Sequence, residues 1–201
     1  MKVLRLRDRN PFIVAEWKRS FADVLPTGQV EISLGDIFDG PTADAVVSPA
    51  NSFGDMDGGI DAAYSARFGL ALQAQIQGVL SDRFFGELHV GQAIIVPTGD
   101  VPFGWLVSAP TMRIPMDVSR TLNAYVAFRA ALIAVTEHNR ANPRDCIDSL
   151  LAPGFCTAIG AMPPSTAAHQ MRAAWDTVIA GQRWSGAAAA RASQAGLQGG
   201  S

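Results

Sequence analysis

The chain has 201 residues, of which 48% are hydrophobic and 17% are charged, and its formal net charge is −2. This length suits one domain with a sizeable core. The small net charge and the lack of a Lys or Arg run exclude a field that would gather nucleic acid non-specifically. The sequence has neither a signal-peptide core nor a run of about 20 apolar residues, so we expect a soluble cytoplasmic protein without a membrane partner.

The placement of cysteine and histidine argues against a metal site and a disulfide framework. Cys146 and Cys156 are ten positions apart, with neither a CxxC pair nor a nearby pair of histidines. A zinc site or a set of disulfides needs such spacing. We therefore expect two reduced thiols, no metal and no cofactor.

Local patterns predict strands that alternate with helices along the chain. Val46 and Val47 stand in a run with little polar relief, which is typical of a strand buried on both faces. Alternating strands and helices predict an α/β fold, here a three-layer α/β/α sandwich with a mixed sheet that is parallel at its centre. The predicted strands are 2–6, 30–34, 43–48, 92–97, 105–108 and 146–152, and the predicted helices are 11–24, 61–68, 70–85, 119–138 and 164–180.

The domain is predicted to cover residues 1–184, with residues 1–29 as an N-terminal strand and helix extension. Beyond Trp184 the sequence consists almost entirely of Ala, Gly, Ser, Gln and Arg. Such a composition has too few large apolar groups to order itself. We therefore expect residues 185–201 to form a disordered tail outside the fold.

Two glycine-bearing loops, 51–60 and 153–162, each follow a predicted strand and precede a predicted helix. Ligands of open α/β sheets bind beyond the carboxyl ends of the strands. Backbone N–H groups at helix N-termini bind anions, and glycine lets the backbone approach them closely. Neither loop has a Walker motif or a GxGxxG followed by a distant acidic residue. The two loops together predict a diphosphate site that is neither of the ATPase nor of the Rossmann type.

Three motifs follow one another along the chain: Gly35-Asp36-Ile37, the AVVSPAN segment that ends at Asn51, and Gly58-Gly59-Ile60-Asp61. In this order they resemble the signature of macrodomains. The similarity covers residues 30–181, and the motifs look most like those of hydrolytic MacroD-type members. The resemblance implies a macrodomain fold, with ADP-ribose or an ADP-ribosylated substrate as the ligand. The segment from Pro153 to Pro163 also resembles the second phosphate loop of the family.

The resemblance also implies roles for individual residues. Asp36 would accept a hydrogen bond from the adenine amino group, beside a backbone contact from Ile37. Asn51 would bind the distal ribose hydroxyls, and Asp61 would orient or activate a water for attack at the anomeric carbon. The diphosphate would lie between two sets of backbone N–H groups, those of Gly58, Gly59 and Ile60 on one side and those of Thr157, Ala158, Ile159 and Gly160 on the other.

Most of these roles have a structural alternative. Asp61 could act only as a first-turn acid that the helix dipole stabilises, and the glycines could provide loop geometry alone. Asn51 could bond its own backbone in a turn, and Asp36 could cap a turn. Cys156 stands near a helix N-terminus, which can lower the pKa of a thiol, but without a partnered His a buried structural cysteine is favoured. Arg113 could lie near the cleft mouth, although a surface salt bridge is favoured there.

The loops also depart from the family pattern. Thr157 and Ala158 follow a cysteine where many macrodomains have serine-threonine-glycine, and Gly160 replaces an aromatic residue. Alanine restricts positive φ, so we expect Ala158 to change how the loop holds phosphate. Asp55 and Asp57 add negative charge to the first loop, where they either bind a cation or point outward.

Three functions are compatible with this sequence. The spacing of Asn51 and Asp61 favours an ADP-ribosyl hydrolase, which releases ADP-ribose from an acceptor. A non-catalytic reader would use the same loops for binding alone. A scaffold that has lost the ligand is suggested by Ala158, Asp55 and Asp57. Of the three, we favour the hydrolase.

Overall fold

The computed structural model describes residues 1–198, which form one six-stranded sheet with helices on both faces. A short 3₁₀ turn, Leu25–Thr27, follows the first helix. The strands are β1 (Val3–Asp8), β2 (Val30–Leu34), β3 (Ala45–Ser48), β4 (Ile94–Pro97), β5 (Trp105–Ser108) and β6 (Ser149–Ala152). The helices are α1 (Pro11–Ser20), α2 (Gly59–Phe68), α3 (Ala71–Phe84), α4 (Asn123–Ala141), α5 (Pro164–Val178) and α6 (Ala187–Gln198).

The strand order is β2-β1-β6-β3-β5-β4, and every neighbouring pair is parallel except the antiparallel pair β4 and β5. The predicted mixed, centrally parallel sheet is therefore confirmed. β1 lies inside the sheet, between β2 and β6, and α1 packs in the core of the domain. Residues 1–29 are therefore part of the domain and do not form an extension. Because five strands run in the same direction, the loops after them converge at one edge of the sheet.

The two faces of β3 show how the sheet is covered. Ala45 and Val47 pack in a core with apolar residues of α1, α4 and α5, whereas Val46 packs in a second core with residues of α2 and α3. All three side chains are fully buried. This confirms that the third strand is buried on both faces, and it explains why its residues lack polar relief. The fold is the expected three-layer sandwich.

The segment after β1 is fixed by local capping. The Asn10 Oδ1 accepts a hydrogen bond from the Phe12 N–H at 3.0 Å, and Pro11 occupies the first position of α1, as predicted. An N-cap oxygen of this kind satisfies a backbone donor that has no acceptor within the helix. Trp17 and two neighbouring apolar residues of α1 are buried against the sheet. The strand-to-helix turn at the end of β1 is therefore held in place at the edge of the sheet where the loops converge.

The C-terminal segment differs from the sequence prediction. Residues 187–198 form α6, although we expected no order beyond Trp184; residues 199–201 lie outside the described part. Leu197 is only 5% exposed, and its carbonyl accepts a hydrogen bond from the Gln170 Nε2 of α5 at 3.0 Å. Alanine has the highest helix propensity, and one large apolar side chain anchors the helix. The composition of this segment did not indicate its helix propensity or the anchoring role of Leu197.

Over residues 1–198, no helix combines the length and the apolar composition that a bilayer crossing requires.

Candidate functional site

A cleft of about 430 Å³ opens at the carboxyl edge of the sheet, where the loops after β1, β2, β3, β5 and β6 meet. A cleft at this place is the expected ligand site of a parallel α/β sheet. All eleven residues that the sequence analysis assigned to ligand contact or catalysis line it. They are Asp36, Ile37, Asn51, Gly58, Gly59, Ile60, Asp61, Thr157, Ala158, Ile159 and Gly160.

Asn51 holds the first loop together. Its Oδ1 accepts hydrogen bonds from the N–H groups of Phe53 at 2.9 Å and Asp55 at 3.3 Å, and its Nδ2 donates to the Asp55 carbonyl at 3.0 Å. This is the turn role that the sequence left open as an alternative. A side-chain amide carries two N–H groups, so one donor of Asn51 is left for a ligand. Asn51 therefore shapes the loop and can still contact a ligand.

The N-terminus of α2 presents backbone N–H groups to the cleft. Gly58 is the N-cap and makes no side-chain capping bond, and the first-turn N–H groups of an α-helix have no acceptor within the helix. Gly59 has a φ of 56°, a backbone conformation that residues with a Cβ rarely adopt. The helix dipole adds partial positive charge at the same point. These features make the α2 N-terminus suitable for an anion.

Asp61 is a buried acid in the first turn of α2. Only 7% of the residue is exposed, and its Oδ1 accepts a hydrogen bond from the Ser48 hydroxyl at the end of β3. Burial raises the pKa of Asp61 from 3.8 to about 6, while the hydrogen bond from Ser48 opposes the rise. A carboxyl group with a pKa near neutrality in a cleft is a candidate functional group.

The second loop, residues 153–163, is tied down at both ends. The Gly154 N–H donates to the Asp8 carboxylate at 2.9 Å, and the Met162 N–H donates to the Cys156 carbonyl at 2.9 Å. In its middle, the Gly160 carbonyl accepts from the Val118 N–H at 3.0 Å. These hydrogen bonds hold the loop backbone in place, with Thr157 to Gly160 lining the cleft.

The backbone at Ala158 does not adopt a positive φ. The positive φ angles of the loop fall at Cys156, with 63°, and at Ala161, with 53°. These two residues carry the strained conformations, so a glycine is not required at position 158. The effect of Ala158 on phosphate binding stays a prediction.

Cys156 is a buried structural residue of the second loop. It is 4% exposed, and burial raises the pKa of its thiol to about 12, although a hydrogen bond with Thr111 opposes this rise. A nucleophilic cysteine needs a lowered pKa and access to substrate. The favoured prediction of a buried thiol is therefore confirmed.

Asp36 stands at the entrance of the cleft, directly after β2. Its Oδ1 accepts a hydrogen bond from the Phe38 N–H at 2.9 Å, and its Oδ2 is paired with the Arg9 guanidinium. Its side chain remains 21% exposed. The turn-capping role is thus present, and the carboxylate also faces the cleft.

The turn after β1 also belongs to the cleft, although no site residue was predicted there. Asp8, Arg9 and Asn10 all line the cleft, and the Asp8 carboxylate joins the turn to the second loop through Gly154. Their position follows from β1 being an interior strand. Three polar residues directly after a predicted strand were the available signal, since the same rule located the other two loops.

Charge is unevenly distributed around the cleft. Among its described lining residues, five are aspartates and Arg9 is the one residue with a permanent positive charge. Asp55 and Asp57 are exposed, and Asp55 accepts a hydrogen bond from the Gln77 amide at 3.3 Å. Arg113 does not supply charge here, because it forms two hydrogen bonds to Glu87 and lies over the Phe53 ring. The favoured salt-bridge role of Arg113 is therefore confirmed. In this cleft, the donors for an anionic ligand are backbone N–H groups and the Arg9 guanidinium.

A second, larger cleft of about 640 Å³ runs along α4 beside the end of α5. Its lining includes Tyr125, Arg129, Arg140 and Trp184 but none of the predicted site residues. It is not at the carboxyl edge of the sheet and contains neither glycine-bearing loop. The smaller cleft is therefore the candidate functional site.

Two known proteins are similar to this chain over most of its length. An uncharacterized protein of Aquifex aeolicus is 31% identical over 129 residues, which cover 64% of this chain and 70% of that protein. An uncharacterized protein of Aeropyrum pernix is 28% identical over 139 residues, which cover 69% of this chain and 66% of that protein.

Solved structures share the fold. The macrodomain of Mycobacterium tuberculosis DarG aligns with a TM-score of 0.59 and 18% identity, covering 72% of this chain and 88% of that chain. The Oceanobacillus iheyensis macrodomain with ADP aligns with a TM-score of 0.55 and 19% identity, covering 70% and 72%. A mutant of the same macrodomain with ADPR aligns with a TM-score of 0.53 and 17% identity, covering 67% and 70%. The family model of the Macro domain matches residues 47–171, more than half of the chain. The chain therefore belongs to the macrodomain family.

Proposed function

We propose that the cleft binds ADP-ribose or an ADP-ribosyl group. The observation that carries this proposal is the convergence of all eleven predicted contact residues, from separate chain segments, on one cleft. Two similar structures, the Oceanobacillus iheyensis macrodomain with ADP and a mutant of it with ADPR, support the same ligand class.

The proposed contacts give ADP-ribose one orientation in this cleft. The adenine lies at Asp36 and Ile37, after β2, and the diphosphate lies between the N-terminus of α2 and the second loop. The distal ribose then lies toward Asn51 and Asp61. Backbone N–H groups give the diphosphate donors that need little reorganisation, which suits a cleft whose side chains are mostly acidic.

Binding is tested by calorimetry with ADP-ribose on the wild type, Asp36→Ala and Asp82→Ala. We expect the wild type to bind, and Asp36→Ala to weaken binding roughly tenfold through loss of a charge-assisted hydrogen bond to the adenine amino group. Asp82 is an exposed aspartate of α3, so its replacement controls for the change of charge. If millimolar ADP-ribose produces neither heat nor a thermal shift in the wild type, the scaffold alternative is favoured and this proposal is wrong.

A second candidate function is hydrolysis of the bond between ADP-ribose and an acceptor. It is favoured by Asp61, whose pKa of about 6 makes it a usable base near neutral pH. In this reaction Asp61 takes a proton from water, the water oxygen bonds to the anomeric carbon, and the bond from that carbon to the acceptor breaks. The acceptor leaves with the bonding electron pair and is protonated by solvent.

Hydrolysis is tested by incubating mono-ADP-ribosylated substrates with the wild type, Asp61→Asn and Asn51→Ala. General-base catalysis contributes about 100-fold or more, so Asp61→Asn should slow release by at least that factor while ADP-ribose still binds. Equal release by the three proteins would remove the assigned roles. Binding without turnover over a broad substrate panel would instead identify a reader.

A further inference from the structure

Arg9 occupies a turn whose neighbours are fully engaged in holding the backbone. The Asp8 carboxylate accepts from the Asn10 N–H at 2.8 Å and from the Gly154 N–H at 2.9 Å, so it joins this turn to the second loop. The Asn10 amide oxygen caps α1 at Phe12. The backbone of Arg9 is therefore fixed, while its side chain remains 79% exposed.

The Arg9 side chain reaches across the cleft entrance to Asp36. One guanidinium nitrogen pairs with the Asp36 Oδ2, and the Asp36 Oδ1 accepts from the Phe38 N–H at 2.9 Å. A guanidinium carries five N–H donors, so most of those of Arg9 stay free for a ligand. The cleft entrance thus presents an acceptor and a donor side by side.

We propose that Arg9 and Asp36 together recognise one edge of the adenine ring, an inference that rests on the proposed binding of ADP-ribose. Asp36 accepts from the 6-amino group, and Arg9 donates to the neighbouring ring nitrogen N7. An amino donor beside a ring acceptor is the pattern by which proteins recognise adenine with a paired donor and acceptor. The backbone of Ile37, which follows Asp36, is left to contact the opposite ring nitrogen, N1.

This role differs from a purely electrostatic one. Among the described residues that line the cleft, Arg9 has the one permanently positive side chain, so it would also attract the diphosphate, and that attraction does not depend on the base. A hydrogen bond to N7 disappears when N7 is replaced by carbon, whereas attraction to phosphate does not. The two roles are therefore separated by changing the ligand and the protein together.

The experiment is a cycle of four affinities, measured by calorimetry for wild type and Arg9→Ala with ADP-ribose and 7-deaza-ADP-ribose. We expect about a tenfold loss when either the side chain or N7 is removed, and no further loss when both are removed. Arg19→Ala is the matched control, because Arg19 is an exposed arginine about 12 Å along α1 from Pro11 by helix rise. It should bind both ligands as the wild type does.

The inference is overturned if the two losses multiply, which would assign Arg9 to charge alone. It is also overturned if the loss couples to 1-deaza-ADP-ribose instead, which would place Arg9 at the opposite edge of the base. Because Arg9 is exposed, the variant should keep the melting temperature of the wild type, so a folding defect is recognised separately. No binding of ADP-ribose by the wild type would overturn the proposed function and this inference with it.

Discussion

Replacing Gly160 with alanine is expected to weaken ADP-ribose binding at least 100-fold while the protein stays folded. A Cβ at this position would lie 2.6 Å from the Cys156 carbonyl oxygen, 2.8 Å from the Val118 Cγ2 and 3.0 Å from the Cys156 Cα. Two of these atoms belong to backbone, so they cannot rotate out of the way. The second loop must open to accept the methyl group.

The expected magnitude follows from the contacts that such an opening disrupts. The Cys156 carbonyl also accepts from the Met162 N–H, and the Gly160 carbonyl accepts from the Val118 N–H. A shift of either bond moves the N–H groups of residues 157–160 away from the diphosphate. Each hydrogen bond to a charged group contributes about 1.5 to 3 kcal/mol, so the loss of two is enough for a 100-fold effect.

The matched control is Gly78→Ala. Gly78 is an exposed residue inside α3, and a Cβ there would meet nothing within 4 Å. This variant should bind ADP-ribose normally and gain about 0.5 to 1 kcal/mol of stability, because alanine favours the helix. Calorimetry and thermal unfolding of both variants check the pair. An unchanged affinity of Gly160→Ala would show that the second loop does not hold the diphosphate.

The fold could be predicted from sequence because its signals are local. The strands 30–34 and 105–108 were predicted with the bounds that the structure has. The first alternates apolar and polar residues before Gly35, and the second is a short, mostly apolar run before Pro110, so both patterns depend only on neighbouring residues. The two loops of the cleft were located for the same reason, since each follows a strand and precedes a helix.

What the sequence could not reveal depends on contacts between distant segments. The position of β1 between β2 and β6 is set by the tertiary arrangement, and it alone brings Arg9 beside Asp36. The same holds for the buried bond between Ser48 and Asp61, which joins a strand end to the first turn of α2. The α6 helix was missed because one buried leucine near its end stabilises an otherwise small-residue segment.

Replacing Asp61 with asparagine is expected to raise the free energy of unfolding at pH 7.5 by up to about 3 kcal/mol. Burial raises the pKa of this carboxyl from 3.8 to about 6, and a change of that size corresponds to about 3 kcal/mol. The asparagine oxygen can still accept the hydrogen bond from Ser48, and an uncharged amide avoids the desolvation of a carboxylate.

The sign of the pH dependence follows from the direction of the pKa change. The folded protein holds the proton of Asp61 more tightly than the unfolded chain does. Its contribution is therefore most favourable below about pH 4, decreases as the pH rises from about 4 to about 6, and stays unfavourable above that range. Asp61→Asn should remove this dependence. Urea unfolding of both proteins between pH 4 and pH 7.5 measures it, with Asp82→Asn as an exposed control.

The result also bears on why a carboxyl group lies at this position. Under the hydrolase hypothesis, an acid that destabilises the fold at neutral pH is kept because it activates water, so Asp61→Asn should be more stable yet release ADP-ribose at least about 100-fold more slowly. If Asp61 served only the dipole of α2, the same variant should instead be less stable at pH 7.5, because a first-turn negative charge would be lost. A gain in stability together with a loss of turnover is the outcome expected of a functional acid.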